Sequence, residues 1–137
     1  MKVLVDTSIW SLAFRRKKNQ NSEEQKLKKE LIELIREVRA TIIGPIRQEL
    51  LSGVSTRDQY LSLKDKLSAF EDLPLITHDY EVAADFFNRC RHKGIQGSHI
   101  DFLICSVSHR NNIPIFTTDK DFEEYSKHLG ISLYVPR

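Results

Sequence analysis

Five acids stand where the hydropathy pattern of the chain changes. Asp6 closes the apolar run that starts at Lys2 and is followed by Thr7 and Ser8. Glu49 sits in the stretch P-I-R-Q-E-L-L from Pro45 to Leu51, and Asp101 lies between Ile100 and Phe102 at the start of a strongly apolar segment. Asp119 and Asp121 follow the run I-P-I-F-T from Ile113 to Thr117. Carboxylates crowded together cannot all ionise without compensation. A hard divalent cation such as Mg²⁺ or Mn²⁺ takes oxygen ligands and supplies that compensation. Held with water positions open, it suits phosphoryl chemistry, because it polarises a phosphate and acidifies an attacking water. Taken singly, each acid has a plainer use. Asp6 can cap the helix after it, and Asp101 and Asp121 can complete capping boxes with Ser98 and Thr118. Glu49 can be an ordinary exposed glutamate.

The elements around these acids decide whether they meet. Lys2 to Asp6 reads as a first, buried strand. Ser22 starts a long helical pattern with Gln25 as its capping-box partner, and Leu27, Leu31, Leu34, Ile35 and Val38 share one face. Thr41 to Ile43 reads as a second strand, closed by Gly44 and Pro45, and Pro45 suits the first position of a helix. Thr56 opens another helix, with Tyr60, Leu63, Leu67 and Phe70 on one face. Leu73 to Ile76 is a short third strand that Pro74 pushes to an edge. Helices are predicted over Asp79 to Arg91, Ser98 to Arg110 and Asp119 to His128. Ile113 to Thr117 and Ile131 to Val135 are the last two strands. This alternation predicts one α/β domain over residues 1–137 with a mainly parallel sheet. Ligands bind such sheets outside the carboxyl ends of the strands, near a switch in strand order. Asp6, Asp119 and Asp121 are predicted at that rim, and the helices bearing Glu49 and Asp101 begin there.

Composition narrows the field further. The 137 residues suit one domain, and 21 basic against 19 acidic side chains give a formal charge of +2. Nucleic-acid affinity must therefore come from local clusters, of which Arg15, Arg16, Lys17 and Lys18 form the densest. Cys90 and Cys105 make no C-x-x-C pair, which argues against a disulfide framework or a zinc site. The five histidines show no ligand spacing, and no nucleophile elbow or Gly-rich phosphate loop occurs. No apolar run reaches the length of a membrane span, and the opening residues lack the pattern of a signal peptide. A cytoplasmic location is expected.

The opening V-D-T-S-I-W from Val5, the Glu49–Leu50 pair, the D-F-L-I-C-S run from Asp101 and the T-T-D-K-D-F run from Thr117 together resemble the PIN-domain family. The short length and the D-x-S-x-W opening are most similar to its VapC toxin branch. The resemblance spans essentially the whole chain and implies a three-layer α/β/α fold. It also implies Mg²⁺- or Mn²⁺-dependent endoribonuclease activity. By motif position, Asp6, Glu49, Asp101 and Asp119 match the family's acids, and Asp121 matches an additional, less constant one. Thr7 and Thr117 match supporting hydroxyls, while Trp10 packs rather than reacts. Where the family usually has small alanines after the third acid, Cys105, Ser106 and Ser108 stand here and keep the small size. Family membership further implies a homodimer and neutralisation by a co-expressed antitoxin.

The expected function is hydrolysis of an RNA phosphodiester by in-line attack of water, as the toxin of a toxin–antitoxin pair. A phosphatase with Asp6 as nucleophile would want a second acid where Ser8 stands. A phospho-acceptor domain would want paired acids at the first strand end and a later lysine. The non-enzymatic rival is an RNA-binding or regulatory PIN-like module whose acids hold a structural cation.

Overall fold

The computed structural model describes residues 1–15 and 19–137. Arg16, Lys17 and Lys18 of the predicted basic cluster therefore lie outside the described residues. In chain order the elements are β1 (Val3–Val5), α1 (Thr7–Phe14), α2 (Ser22–Arg36), β2 (Ala40–Thr41) and α3 (Gly44–Leu51), then α4 (Arg57–Leu67), α5 (Thr77–His92), α6 (His99–Asn111), β3 (Ile115–Phe116) and α7 (Asp121–His128).

The strands pair in parallel in the order β2-β1-β3. Single parallel bridges extend the sheet at both edges, Ile42 with Asp72 and Ile115 with Leu133. The third and last expected strands thus shrink to one bridge each. At the first edge the Leu73 amide donates to the Ile42 carbonyl, but Pro74 has no N–H to continue the ladder. At the other edge Ile115 exchanges bonds with Ser132 and Tyr134, and Pro136 follows.

Val3, Leu4 and Val5 are all fully buried. Successive strand side chains point to opposite faces, so helices must cover both faces of β1. They do so in three layers, with α1 packed on α2 and α3, α3 on α4, and α5 on α6, which also meets β3. Among the described residues no helix is long and apolar enough to cross a membrane.

Two local expectations at α2 are corrected. Its cap is Asn21, whose side chain accepts from the Glu24 amide while Glu24 answers the Asn21 N–H. Ser22 and Gln25 are not the box, because the Asx side chain of Asn21 caps the helix one residue earlier and the Gln25 amide already donates to the Asn21 carbonyl. Val38 leaves the apolar face altogether: it lies past the helix end with φ +56° and is 78% exposed. There it fills the left-handed position that closes the helix, and the Arg39 amide returns to the Leu34 carbonyl.

Trp10 pins the end of β1. The indole is fully buried, donates to the Val5 carbonyl at 2.9 Å, and meets Phe70 edge-on at 4.9 Å. Arg47 secures that side by donating to the Leu67 and Phe70 carbonyls and to Asp72. Trp10→Phe keeps most of the apolar contact but orphans the Val5 acceptor, a loss of roughly 1–3 kcal/mol. Urea unfolding should show the midpoint fall with an unchanged slope, and an unchanged midpoint would refute the role given to the indole.

Candidate active site

Asp6 is fixed by the backbone on both sides. Its amide donates to the Phe116 carbonyl in β3, and its own carbonyl accepts from Ile9 and Trp10 in the first turn of α1. The residue is thus both the end of a strand and the start of a helix. The chain runs from β1 outward through β2 to the Asp72 bridge, then returns to β3 on the other side of β1. The crevice between the ends of β1 and β3 is therefore the switch point of the sheet. Asp6 and Thr117 stand on its two sides.

Hydroxyls tie these two sides together. Thr117 Oγ1 donates to Asp6 Oδ2 at 2.7 Å and accepts from the Asp119 amide at 3.0 Å. Ser8 Oγ donates to the same Asp6 oxygen at 3.1 Å and accepts from the Thr118 amide. Asp119 Oδ1 in turn accepts from the Asp121 amide at 2.9 Å. Asp6 makes no side-chain cap bond to α1, and its carboxylate instead takes the Thr117 hydroxyl from across the crevice and the Ser8 hydroxyl from the first turn of α1.

Asp101 reaches the same place from the first turn of α6. Ser98 caps that helix by accepting from the Asp101 amide, one half of the capping box offered as the plainer use of Asp101. The Asp101 carboxylate accepts the Tyr125 hydroxyl at 2.9 Å on Oδ2. One carboxylate oxygen each from Asp101, Asp119 and Asp121 lies within 4.8 Å of the others. That is a spacing at which three carboxylates can share one cation.

Electrostatics supports that use. Among the described residues no lysine, arginine or histidine forms an ion pair with Asp6, Asp101, Asp119 or Asp121. Burial pushes the Asp6 carboxyl above its ordinary range, against the Thr117 hydroxyl, the Thr7 backbone amide and the Ser8 hydroxyl, and the Asp101 charge adds to the rise. Burial raises Asp101 as well, against Tyr125 and Ser98, with Asp119 adding repulsion. Cys105 is held in its thiol form by burial and by the nearby Asp101 charge, so it offers no thiolate. The Thr7 Oγ1 atom, beside Asp6 in the chain, is buried with no hydrogen-bond partner among the described residues. Clustered carboxylates without a protein cation fit a hard divalent ion, and the donors are all oxygen.

The other expected residues fall as follows. Glu49 is exposed on α3 and is not part of the three-acid group. The predicted capping box of Thr118 with Asp121 is absent, because the Asp121 amide goes to Asp119. Arg15 donates to the Ser52 carbonyl. With Lys120 it lines a groove of about 670 Å³ that shares Ser8 and Thr117 with the acid site. Tyr125 escapes sequence reasoning: its spacing on α7 reads as core, and its partner lies 24 residues away.

A family model for the PIN domain matches residues 3–128, nearly the whole chain. The chain belongs to the PIN-domain family. Solved structures share this PIN fold. FitAcB from Neisseria gonorrhoeae gives a TM-score of 0.76 at 17% identity, covering 98% of this chain and 97% of that one. VapBC2 from Rickettsia felis, bound to a DNA fragment from its promoter, gives 0.72 at 20% identity with 98% of both chains covered. VapBC-5 from Mycobacterium tuberculosis, a member of the VapBC family of toxin–antitoxin systems, gives 0.67 at 19%, covering 97% of this chain and 98% of that one. A comparison with curated proteins gives no significant match.

The raised carboxyls give this PIN domain a signature in its stability. A carboxyl raised on folding stabilises the fold below its unfolded value, about 4, and loses that contribution as pH climbs through the raised folded value. At neutral pH the metal-free protein therefore bears a cost from Asp6 and Asp101. Asp6→Asn removes one share, and the amide oxygen still accepts from Thr117 and Ser8. The metal-free variant should melt above wild type at pH 7 and no higher than wild type at pH 3. A lower melting temperature at pH 7 would contradict the electrostatic account.

Proposed function

We propose that this PIN domain is a divalent-metal-dependent endoribonuclease and the toxin of a toxin–antitoxin pair. The single observation that carries the reading is the group of Asp101, Asp119 and Asp121, joined to Asp6 through Thr117 and left without a basic partner among the described residues. Asp101, Asp119 and Asp121 would hold Mg²⁺ or Mn²⁺, with Asp6 and Glu49 as further acidic ligands, directly or through water. When bound, the cation neutralises charge on the scissile phosphate and acidifies the attacking water.

The chain's own residues orient this chemistry. Thr117 and Ser8 hold Asp6 by one oxygen, so the most buried acid of the crevice keeps one orientation. The Asp121 amide holds Asp119, and the Ser98 cap sets the start of α6. Arg15 and Lys120 line the adjoining groove, which has no net excess of charge since Glu23 and Glu24 line it too, and offer two local contacts to a phosphate backbone. In the reaction, water oxygen bonds to phosphorus, the bond from phosphorus to the 3′ oxygen breaks, and that oxygen takes a proton. The products carry a 5′-phosphate and a 3′-hydroxyl.

The partner assignment rests on a solved structure of like fold, VapBC-5, which is a member of the VapBC family of toxin–antitoxin systems. By that analogy the chain binds a cognate antitoxin, and its resemblance to the family adds a homodimer.

Incubation with total cellular RNA, with and without Mn²⁺, followed by mapping of new ends, tests the reading. Cleavage should require the metal and leave 5′-phosphates, and Asp6→Asn should slow it roughly 100-fold or more. Tight RNA binding without cleavage in any divalent metal would overturn the enzymatic assignment in favour of a binding module.

A further inference from the structure

Asp101 is held in the acid group by a side chain that no acidic motif includes. Tyr125 on α7 is fully buried, with its ring against Phe102 at 5.0 Å and Phe122 at 5.1 Å between centroids. Its hydroxyl lies 2.9 Å from Asp101 Oδ2 and 3.3 Å from the Gln96 carbonyl. A hydroxyl has one proton to donate, and the shorter contact, to a charged acceptor, is the stronger.

The backbone makes room for this contact at one residue. A Cβ at Gly97 would collide with Tyr125 Oη and come within 2.9 Å of Phe102 Cε2. Glycine is needed there for space, since any side chain would lift the tyrosine off its seat. A buried hydroxyl, a glycine that admits it and a carboxylate facing two others thus form one unit.

We propose that Tyr125 is a positioning residue for the divalent-cation centre, holding Asp101 beside Asp119 and Asp121 before any cation arrives. This rests on the metal-centre reading above and adds a residue outside the ligand set. Two neighbouring carboxylates repel Asp101, and a side chain free to turn would swing away from them. The hydroxyl bond opposes that swing, so the ligands stand assembled and little rearrangement accompanies binding. Partners that orient metal ligands commonly change affinity 10–100-fold when removed.

The test is Mn²⁺ binding by titration calorimetry to the full chain. Tyr125→Phe keeps the ring packing and removes the hydroxyl. Its Kd for Mn²⁺ should rise roughly 10–100-fold, with the far-ultraviolet dichroism unchanged. RNA cleavage should need correspondingly more Mn²⁺ for half-maximal rate, and kcat at saturating metal should approach that of wild type. Gly97→Ala, which displaces the tyrosine, should weaken Mn²⁺ in the same direction. Tyr134→Phe, which removes a tyrosine bond to Glu30 instead, should bind Mn²⁺ as wild type does. Wild-type affinity in Tyr125→Phe, or equal weakening in Tyr134→Phe, would overturn this proposal alone. Absence of Mn²⁺ binding by the wild-type chain would overturn the metal-centre reading and this proposal with it.

Discussion

Carboxylates repel one another, and this chain gathers them without supplying a counter-charge. Asp101, Asp119 and Asp121 come within 4.8 Å of one another. Asp6 stands across a threonine bridge, and among the described residues no basic side chain pairs with any of the four. The basic residues do find acids elsewhere. Arg110 makes a two-pronged pair with buried Asp79, and Arg137 reaches both Glu30 and Glu37. The contrast locates the unneutralised charge at the mouth of the sheet. On the proposed function, a bound cation would neutralise the charge that the fold tolerates there.

The architecture forces the gathering. Parallel strands end on one side, and the return of the chain to β3 opens a crevice beside β1. Asp6 has no latitude there, because its amide belongs to the sheet and its carbonyl to α1. Thr117 then does two jobs with one oxygen, donating to Asp6 and accepting from Asp119. Trp10 and its aromatic neighbours lock the strand end from behind. Rigid elements thus hold the acids, and packing energy far from the crevice offsets their repulsion.

Much of this was legible in the letters, for physical reasons. A β-branched run that stops at an acid marks a strand end, and β1 with Asp6 follows that rule. The Ser98 cap was legible because a serine three residues before the first acid of an apolar helix has one obvious amide to serve. Boundaries were less so. Pro74 and the exchange of single bonds at Ile115 cut two expected strands to bridges, and Asn21 outcompeted Ser22 for the cap. Glu49 matches its fellow acids by motif; it is exposed on α3 and, like Asp6, stands outside the three-acid group. Tyr125 and Gly97 were invisible for another reason. A buried tyrosine reads as core, and only the packing of α7 on the start of α6 turns its hydroxyl toward Asp101.

The central claim is that Asp101, Asp119 and Asp121 share one divalent cation. Crystals of the chain grown or soaked with Mn²⁺, measured with anomalous scattering, address it directly. The account predicts an anomalous peak among those three carboxylates, at about 2.0–2.6 Å from their oxygens. A Mn²⁺-saturated crystal with no peak there, or with its only ordered ion elsewhere, would contradict it.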